Sequence, residues 1–271
     1  MIFERIELLG GAYVDAYAAD PIGTIKKKAL LVIPGGGYGF CSEREAEPIA
    51  LAFMPHGFNA FVLNYTVGRK KPFPCQLIEA SAAIKHIKDN AEKYNVDHEE
   101  IFVVGFSAGG HLAASVGVLW KNEEIYKALN MPFGYAKPSG VMLCYPVISP
   151  KFERHIGSFN NLWCSDNPTA EQYAATAIED FVDKDSAPAF IMHTATDKTV
   201  DVRNSLVLSD AYARAEVSFE LHVYPEGPHG LSLANKWTSE GKETRENPVV
   251  AEWVDRAAAW AEEQCKKIKG E

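Results

Sequence analysis

A serine hydroxyl is a weak nucleophile near neutral pH. It needs a base within hydrogen-bond reach, and a histidine base needs a carboxylate to fix its tautomer and hold its charged form. Ser107 stands in Gly105-Phe106-Ser107-Ala108-Gly109-Gly110, after the apolar run Ile101-Phe102-Val103-Val104 and before His111-Leu112-Ala113-Ala114. G-x-S-x-G between a strand and a helix is the pattern of a nucleophile elbow, a strained turn that exposes the serine hydroxyl. Glycines flank it because side chains there would collide with the neighbouring strand and helix. Of the eight histidines, His229 suits the base, since Glu226-Gly227-Pro228-His229-Gly230 forms a loop after the last expected strand. Asp197, after the preceding strand, suits the acid. Asp201 competes, but Thr199-Val200 already leads towards the next helix. The order serine, acid, histidine belongs to one plan of serine hydrolase. His193 and His222 sit within strand patterns and read as packing residues. His111, just past the elbow, reads as lining the site or packing its helix. Asp183 and Asp185 precede their strand and belong at its wrong end.

A second chemical signal is Pro34-Gly35-Gly36-Gly37-Tyr38-Gly39. Consecutive residues without side chains let backbone N–H groups converge on a small volume, as an oxyanion hole or anion nest requires. A phosphate loop is excluded because no Gly-Lys-Ser/Thr follows, and a dinucleotide fingerprint with its ribose-binding acid is absent. No histidines have H-E-x-x-H spacing and no cysteines cluster, so neither a metal nor a cofactor is expected.

The elements that must position these groups follow from the apolar pattern. Ile2–Leu9 and the alternating Ala12–Tyr17 suggest an antiparallel start. Ala29–Ile33 and Ala60–Tyr65 read as strands buried on both faces. Further strands are expected at Ile101–Val104, Val141–Tyr145, Ala189–Thr194 and Phe219–Tyr224. Helices are expected over Cys75–Tyr94, from the elbow to about Trp120, over Val202–Ala215 and over Val249–Ile268. Ser42-Glu43-Arg44-Glu45 fits a capping box that starts a helix running to Met54. The alternation predicts an α/β fold, a mostly parallel doubly wound sheet with helices on both faces, in one domain spanning 1–271. Residues 147–188, with a short helix at Pro168–Ile178, read as a cap or pocket-wall insertion. Active crevices of such sheets lie beyond the strand carboxyl ends, where both the glycine cluster and Ser107 fall.

Composition narrows the function. The chain has 271 residues, 47% hydrophobic and 23% charged, with a formal net charge of −9 and no long basic run. Nucleic acid is therefore excluded as a partner. Charges in Met1–Glu7 and the lack of a long apolar stretch point to a cytoplasmic protein without a membrane partner. Five scattered cysteines suit reduced thiols. The oligomeric state is left open, a homodimer among the options.

Taken together, Pro34-Gly35-Gly36-Gly37-Tyr38, Gly105 to Ala113, Cys144-Tyr145-Pro146-Val147-Ile148-Ser149 and His229-Gly230-Leu231 resemble the acetyl-xylan-esterase-like carboxylesterases of the α/β-hydrolase fold, relatives of the hormone-sensitive-lipase-like esterases. The resemblance runs from about residue 29 to 235. It implies Ser107 as nucleophile, Asp197 as acid, His229 as base, and the N–H groups of Gly36, Gly37 and Ala108 as the oxyanion hole. It also implies hydrolysis of short acyl esters, acetyl foremost, on sugars or xylo-oligosaccharides. Tyr38, His111 and Trp163 are the expected substrate contacts, with Phe159 a further aromatic candidate. Two departures stand out. Pro34 replaces the histidine of His-Gly-Gly-Gly, and Val200-Asp201-Val202-Arg203-Asn204-Ser205 adds charges where relatives often read Val-Pro-Val-Glu-Asn-Ser. The rivals are another serine hydrolase on this fold, a peptidase or an arylformamidase, and a non-catalytic binding protein.

Overall fold

The computed structural model describes residues 1–151 and 155–271. Eight strands form one sheet: β1 (Ile2–Glu7), β2 (Tyr13–Ala18), β3 (Lys27–Ile33), β4 (Phe58–Asn64), β5 (Val96–Phe106), β6 (Gly140–Cys144), β7 (Ala189–Thr194) and β8 (Phe219–Tyr224), in the order β1-β2-β4-β3-β5-β6-β7-β8. β2 pairs antiparallel with both β1 and β4, and all pairings from β4 through β8 are parallel. The helices are α1 (Glu47–Phe53), α2 (Cys75–Asp89), α3 (Ala108–Val118), α4 (Glu123–Leu129), α5 (Ile156–Leu162), α6 (Ala170–Ala175), α7 (Arg203–Arg214), α8 (Pro248–Ala251) and α9 (Trp253–Lys269). This is the mostly parallel sheet with helices on both faces that the apolar pattern implies.

Why β3 is a continuous apolar run is visible in its two faces. Ala29, Leu31 and Ile33 join one core layer with Leu77, Ile84, Leu112 and Tyr212 from α2, α3 and α7. Leu30 and Val32 join the other, with Ile49 and Phe53 of α1 and Trp253 and Trp260 of α9. Side chains alternate across a strand, so a strand covered on both sides must be apolar at every position. Trp253 is fully buried, packs on Phe53 and Phe106 with centroids at 5.7 and 5.8 Å, and donates Nε1–H to Ser232 O at 2.9 Å. Truncating such a residue costs about 3–5 kcal/mol.

Several elements differ from expectation in their bounds, β5 reaching back to Val96 and α2 stopping at Asp89 among them. The capping box at Ser42 does not form: Ser42 makes no side-chain cap bond, Glu43–Glu45 is a 3-10 turn, and α1 begins at Glu47. Glu45 points inwards instead, where it accepts Gly35 N–H at 2.9 Å. The short helix expected at 168–178 spans only α6, opened by a capping box of Thr169 and Gln172. The same region also holds α5, whose apolar spacing is too sparse to read. Residues 152–154 of the expected 147–188 insertion lie outside the described residues. No helix among the described residues is long and apolar enough to cross a membrane.

Candidate active site

The chain visits β3, then β4 on one side, and returns to β5 on the other, so β3 and β5 flank the point where the strand order reverses. Their register ends with Ile33 beside Gly105, which sets the loop at 34–39 against the elbow at 105–110. Ser107 has φ 53° and ψ −117°, a positive φ that non-glycine residues avoid. Its backbone is held by Ser107 N–H to Cys144 O and Val147 N–H to Ser107 O, both 3.0 Å. A Cβ on Gly109 would lie 2.3 Å from Ile33 O and 2.4 Å from Pro34 O, so the elbow closes onto β3 only with glycine there.

Ser107 Oγ lies 2.8 Å from His229 Nε2, and His229 Nδ1 lies 2.6 Å from Asp197 Oδ2. The carboxylate accepts, so Nδ1 carries the proton and Nε2 is free to accept from Ser107. Asp197 and His229 sit on the loops after β7 and β8, whose register ends with Thr194 beside Tyr224. Thr194 Oγ1 donates to Gly227 O at 2.8 Å and Gly227 N–H to Thr196 Oγ1 at 3.0 Å, tying those two loops together. Asp197 Oδ1 accepts Thr199 N–H at 2.8 Å and Val200 N–H at 2.9 Å. Burial alone would raise the Asp197 pKa. Contacts from His193 and His229, with Val200 N–H, outweigh it and hold the carboxyl well below its usual range. Asp201 engages elsewhere: Arg203 donates to it through its backbone at 2.8 Å and its guanidinium at 3.0 Å.

The glycine loop is braced from several directions. Glu45 Oε2 accepts Gly35 N–H, Tyr65 O–H donates to Pro34 O at 2.8 Å, and Asn161 Nδ2 donates to Gly37 O at 2.9 Å. Gly36 has φ 126°, and a Cβ there would meet Phe40 O at 2.1 Å. Among the described residues, the N–H groups of Gly36, Gly37 and Ala108 have no protein acceptor. Ala108 also begins α3, where the helix dipole adds a positive end. Backbone donors left unspent beside a serine are of the kind that can face a developing negative oxygen.

A cavity of about 410 Å³ opens over Ser107 and His229. Gly36, Gly37, Phe40, Arg44, His155, Asn161 and Arg245 are among its lining residues. Tyr38, His111 and Trp163, the expected substrate contacts, are not on that wall. Tyr38 and His111 are buried behind the glycine loop, where Tyr38 O–H donates to His111 Nδ1 at 2.8 Å and His111 Nε2–H to Thr176 O at 3.0 Å. Burial, opposed by the Thr176 carbonyl, lowers the His111 pKa from the usual 6.5 to about 4, so the imidazole is neutral. Trp163 packs edge-on against Phe73 and reaches Thr176 Oγ1. Phe159 is buried against His111. The aromatic ring that does stand exposed on the lining is Phe40, at 62%.

Several residues round the site have roles there that the sequence reading did not assign. His155 brings a second imidazole to the cavity, its Nδ1 2.8 Å from Ser158 Oγ, and burial, with His229 close by, pushes its pKa down against the pull of Asp197. Arg44 clamps the base loop by donating to Gly230 O at 2.7 Å and Thr238 O at 2.6 Å. Tyr145 sets its ring against His229 at 5.1 Å, accepts Ser232 N–H and donates to Glu45 Oε1, both at 2.8 Å. The only sequence trace of Glu45 is its place three residues after Ser42, which a capping box would share. Of the histidines read as packing, His222 pairs with Glu220 and lies on Phe190. His193 is fully buried but meets the acid: its Nε2 is 3.4 Å from Asp197 Oδ2.

A family model described as BD-FAE matches residues 15–212. The chain is 36% identical over 218 residues to an endo-1,4-beta-xylanase B of Butyrivibrio fibrisolvens, a match covering 78% of this chain and 33% of that protein. It thus spans about a third of that relative's length. Among solved structures, an acetyl ester-xyloside bifunctional hydrolase from Caldicellulosiruptor lactoaceticus superposes with a TM-score of 0.80 at 33% identity, covering 94% of this chain and 89% of that one. A carboxylesterase from Lactobacillus plantarum superposes with a TM-score of 0.85 at 30% identity, covering 97% and 98%.

Proposed function

This chain belongs to the BD-FAE family and has the α/β-hydrolase fold, and from that premise we propose that it is a serine carboxylesterase acting on short acyl esters, acetyl foremost, of sugars or xylo-oligosaccharides. The observation that carries the proposal is the unbroken line from Ser107 Oγ through His229 to Asp197, at 2.8 and 2.6 Å, opening into a cavity of small-molecule size. Ser107 Oγ attacks the ester carbonyl as His229 Nε2 takes its proton. The carbonyl oxygen becomes an oxyanion facing the N–H groups of Gly36, Gly37 and Ala108. Collapse returns the proton from His229 to the leaving alcohol, and a water repeats the steps on the acyl-enzyme. Each oxyanion donor contributes about 3 kcal/mol at the transition state.

The polar wall of Arg44, His155, Asn161 and Arg245 with the exposed ring of Phe40 favours a hydroxyl-rich alcohol that can also stack a ring face. The likeness to an acetyl ester-xyloside hydrolase supports the same choice. Residues 147–188 are read as part of the single domain, contributing His155, Gly157 and Asn161 to the wall. The test is kcat/KM on esters of increasing acyl length and on acetylated xylo-oligosaccharides, beside aminoacyl amides and formyl-kynurenine. Activity should peak at acetyl and vanish in Ser107→Ala. A marked preference for either amide defeats the esterase reading in favour of a peptidase or an arylformamidase.

A further inference from the structure

His193 is the penultimate residue of β7, four residues before the acid, and its side chain is fully buried. Its Nε2 lies 2.9 Å from Val200 O. A carbonyl oxygen only accepts, so Nε2 carries a proton, and the neutral ring must accept at Nδ1. Ser205 Oγ, 2.7 Å from Nδ1, supplies that donor. The same Nε2–H lies 3.4 Å from Asp197 Oδ2, the oxygen that receives His229. At that separation the full hydrogen bond goes to Val200 O, and the carboxylate feels the positive end of the N–H dipole. A line therefore runs from Ser205 through His193, Asp197 and His229 to Ser107, with two imidazoles converging on one carboxylate oxygen.

We infer that His193 is a positioning residue of this hydrolase, whose Nε2–H stabilises the Asp197 charge and so weakens the hold of Asp197 on the protonated form of His229. The inference rests on the proposed roles of Ser107, His229 and Asp197. Its sign follows from electrostatics. A carboxylate partly neutralised by a second donor attracts the imidazolium of His229 less strongly, so His229 becomes a free base at lower pH. Other titratable or charged groups packed round the pair are His155 and Arg245 in the cavity wall, Arg44 on the Gly230 carbonyl, Tyr145 against the His229 ring, Glu45 behind Tyr145, and Lys198, Glu226, Glu243 and Glu246 in the second cleft that His229 lines, while Asp201 is engaged with Arg203. The test variants leave all of them in place.

Two polar substitutions separate the contacts of His193. The amide nitrogen of His193→Gln can occupy the place of Nε2. The shorter His193→Asn can reach only the place of Nδ1, beside Ser205. Second-order labelling of Ser107 by a fluorophosphonate is followed from pH 4.5 to 9, a readout that needs no knowledge of the natural ester. In His193→Asn the acid limb of the profile should move up by about half a unit to one unit, read as roughly 3- to 10-fold slower labelling below the limb. In His193→Gln it should stay at the position of the unaltered protein. Identical limbs in the two variants, or a shift in Gln but not in Asn, overturn the inference. If Ser107→Ala labels like the unaltered protein, the triad reading itself falls, which is a different outcome. The tautomer needs no variant: 15N-histidine spectra of the unaltered protein should report His193 with its proton on Nε2, and a proton on Nδ1 alone overturns the inference.

Discussion

Replacing Asp197 by Asn is the substitution whose outcome the hydrogen bonds dictate most tightly. Both partners of Asp197 Oδ1 are backbone donors, Thr199 N–H and Val200 N–H. An asparagine must therefore place its carbonyl oxygen there and its NH2 at the former Oδ2 position. That NH2 faces His229 Nδ1 at a distance now 2.6 Å, and a donor there forces the proton of His229 onto Nε2. Nε2–H then points at Ser107 Oγ and can no longer accept its proton. The His193 N–H near the same position, 3.4 Å away, adds repulsion between donors. Tautomer reversal of this kind costs about 10⁴-fold in kcat, or ~5.4 kcal/mol of barrier. The assay is kcat on p-nitrophenyl acetate at pH 7.5, with thermal melting to confirm the fold. Asp201→Asn, which weakens the charge pairing with Arg203, should change kcat by less than about 3-fold. Near-normal turnover in Asp197→Asn together with collapse in Asp201→Asn would refute the reasoning and move the acid to Asp201.

Ser107→Gly should abolish ester turnover yet raise Tm by about 2–4 °C, because relieving a positive φ recovers roughly 1 kcal/mol; calorimetry that finds no gain removes the claim of strain at the elbow. Asn161→Ala releases Gly37 O from its brace and should lower kcat by about tenfold with KM little changed, whereas a rise in KM alone would make Asn161 a substrate contact instead. His111 gives a stability prediction. Its folded pKa is depressed from 6.5 to about 4, so its contribution is fully present above pH 6.5 and is lost as pH falls towards 4, where the unfolded chain takes up the proton first. Urea unfolding should lose on the order of 3 kcal/mol across that window from this group, and the slope should be shallower in His111→Gln. An unchanged slope would mean that His111 is charged in the folded protein.

Much of this architecture is legible because it depends on local rules. The doubly apolar runs at 29–33 and 101–104 announce strands covered on both faces, and strand ends in such sheets locate crevices. Ser107 is legible because an elbow needs small residues at fixed offsets, and His229 because its loop follows the last strand. Asp197 is favoured over Asp201 by its place directly after a strand, since Thr199-Val200 already leads towards the next helix, and by the family resemblance. The cavity wall was not legible. Tyr38 and Phe40 differ by two residues on one glycine loop, yet one is buried on His111 and the other exposed at the cavity. The glycines let either direction of the loop occur, and the packing of α5 against it decides.

By itself, then, the amino-acid order determined the sheet, the crevice and the residue types able to transfer an acyl group, since each is written as periodicity or as a motif of adjacent residues. Tertiary structure decided which groups share an oxygen or a wall. Glu45 could have capped a helix, but a buried Gly35 N–H and the Tyr145 hydroxyl took both of its oxygens. His193 could have been a packed strand histidine and no more, but the turn after β7 folds Asp197 back to within 3.4 Å of it. Such contacts join residues far apart in the chain or across a tight turn, and their partners are fixed by distance and burial, which no spacing along a sequence encodes.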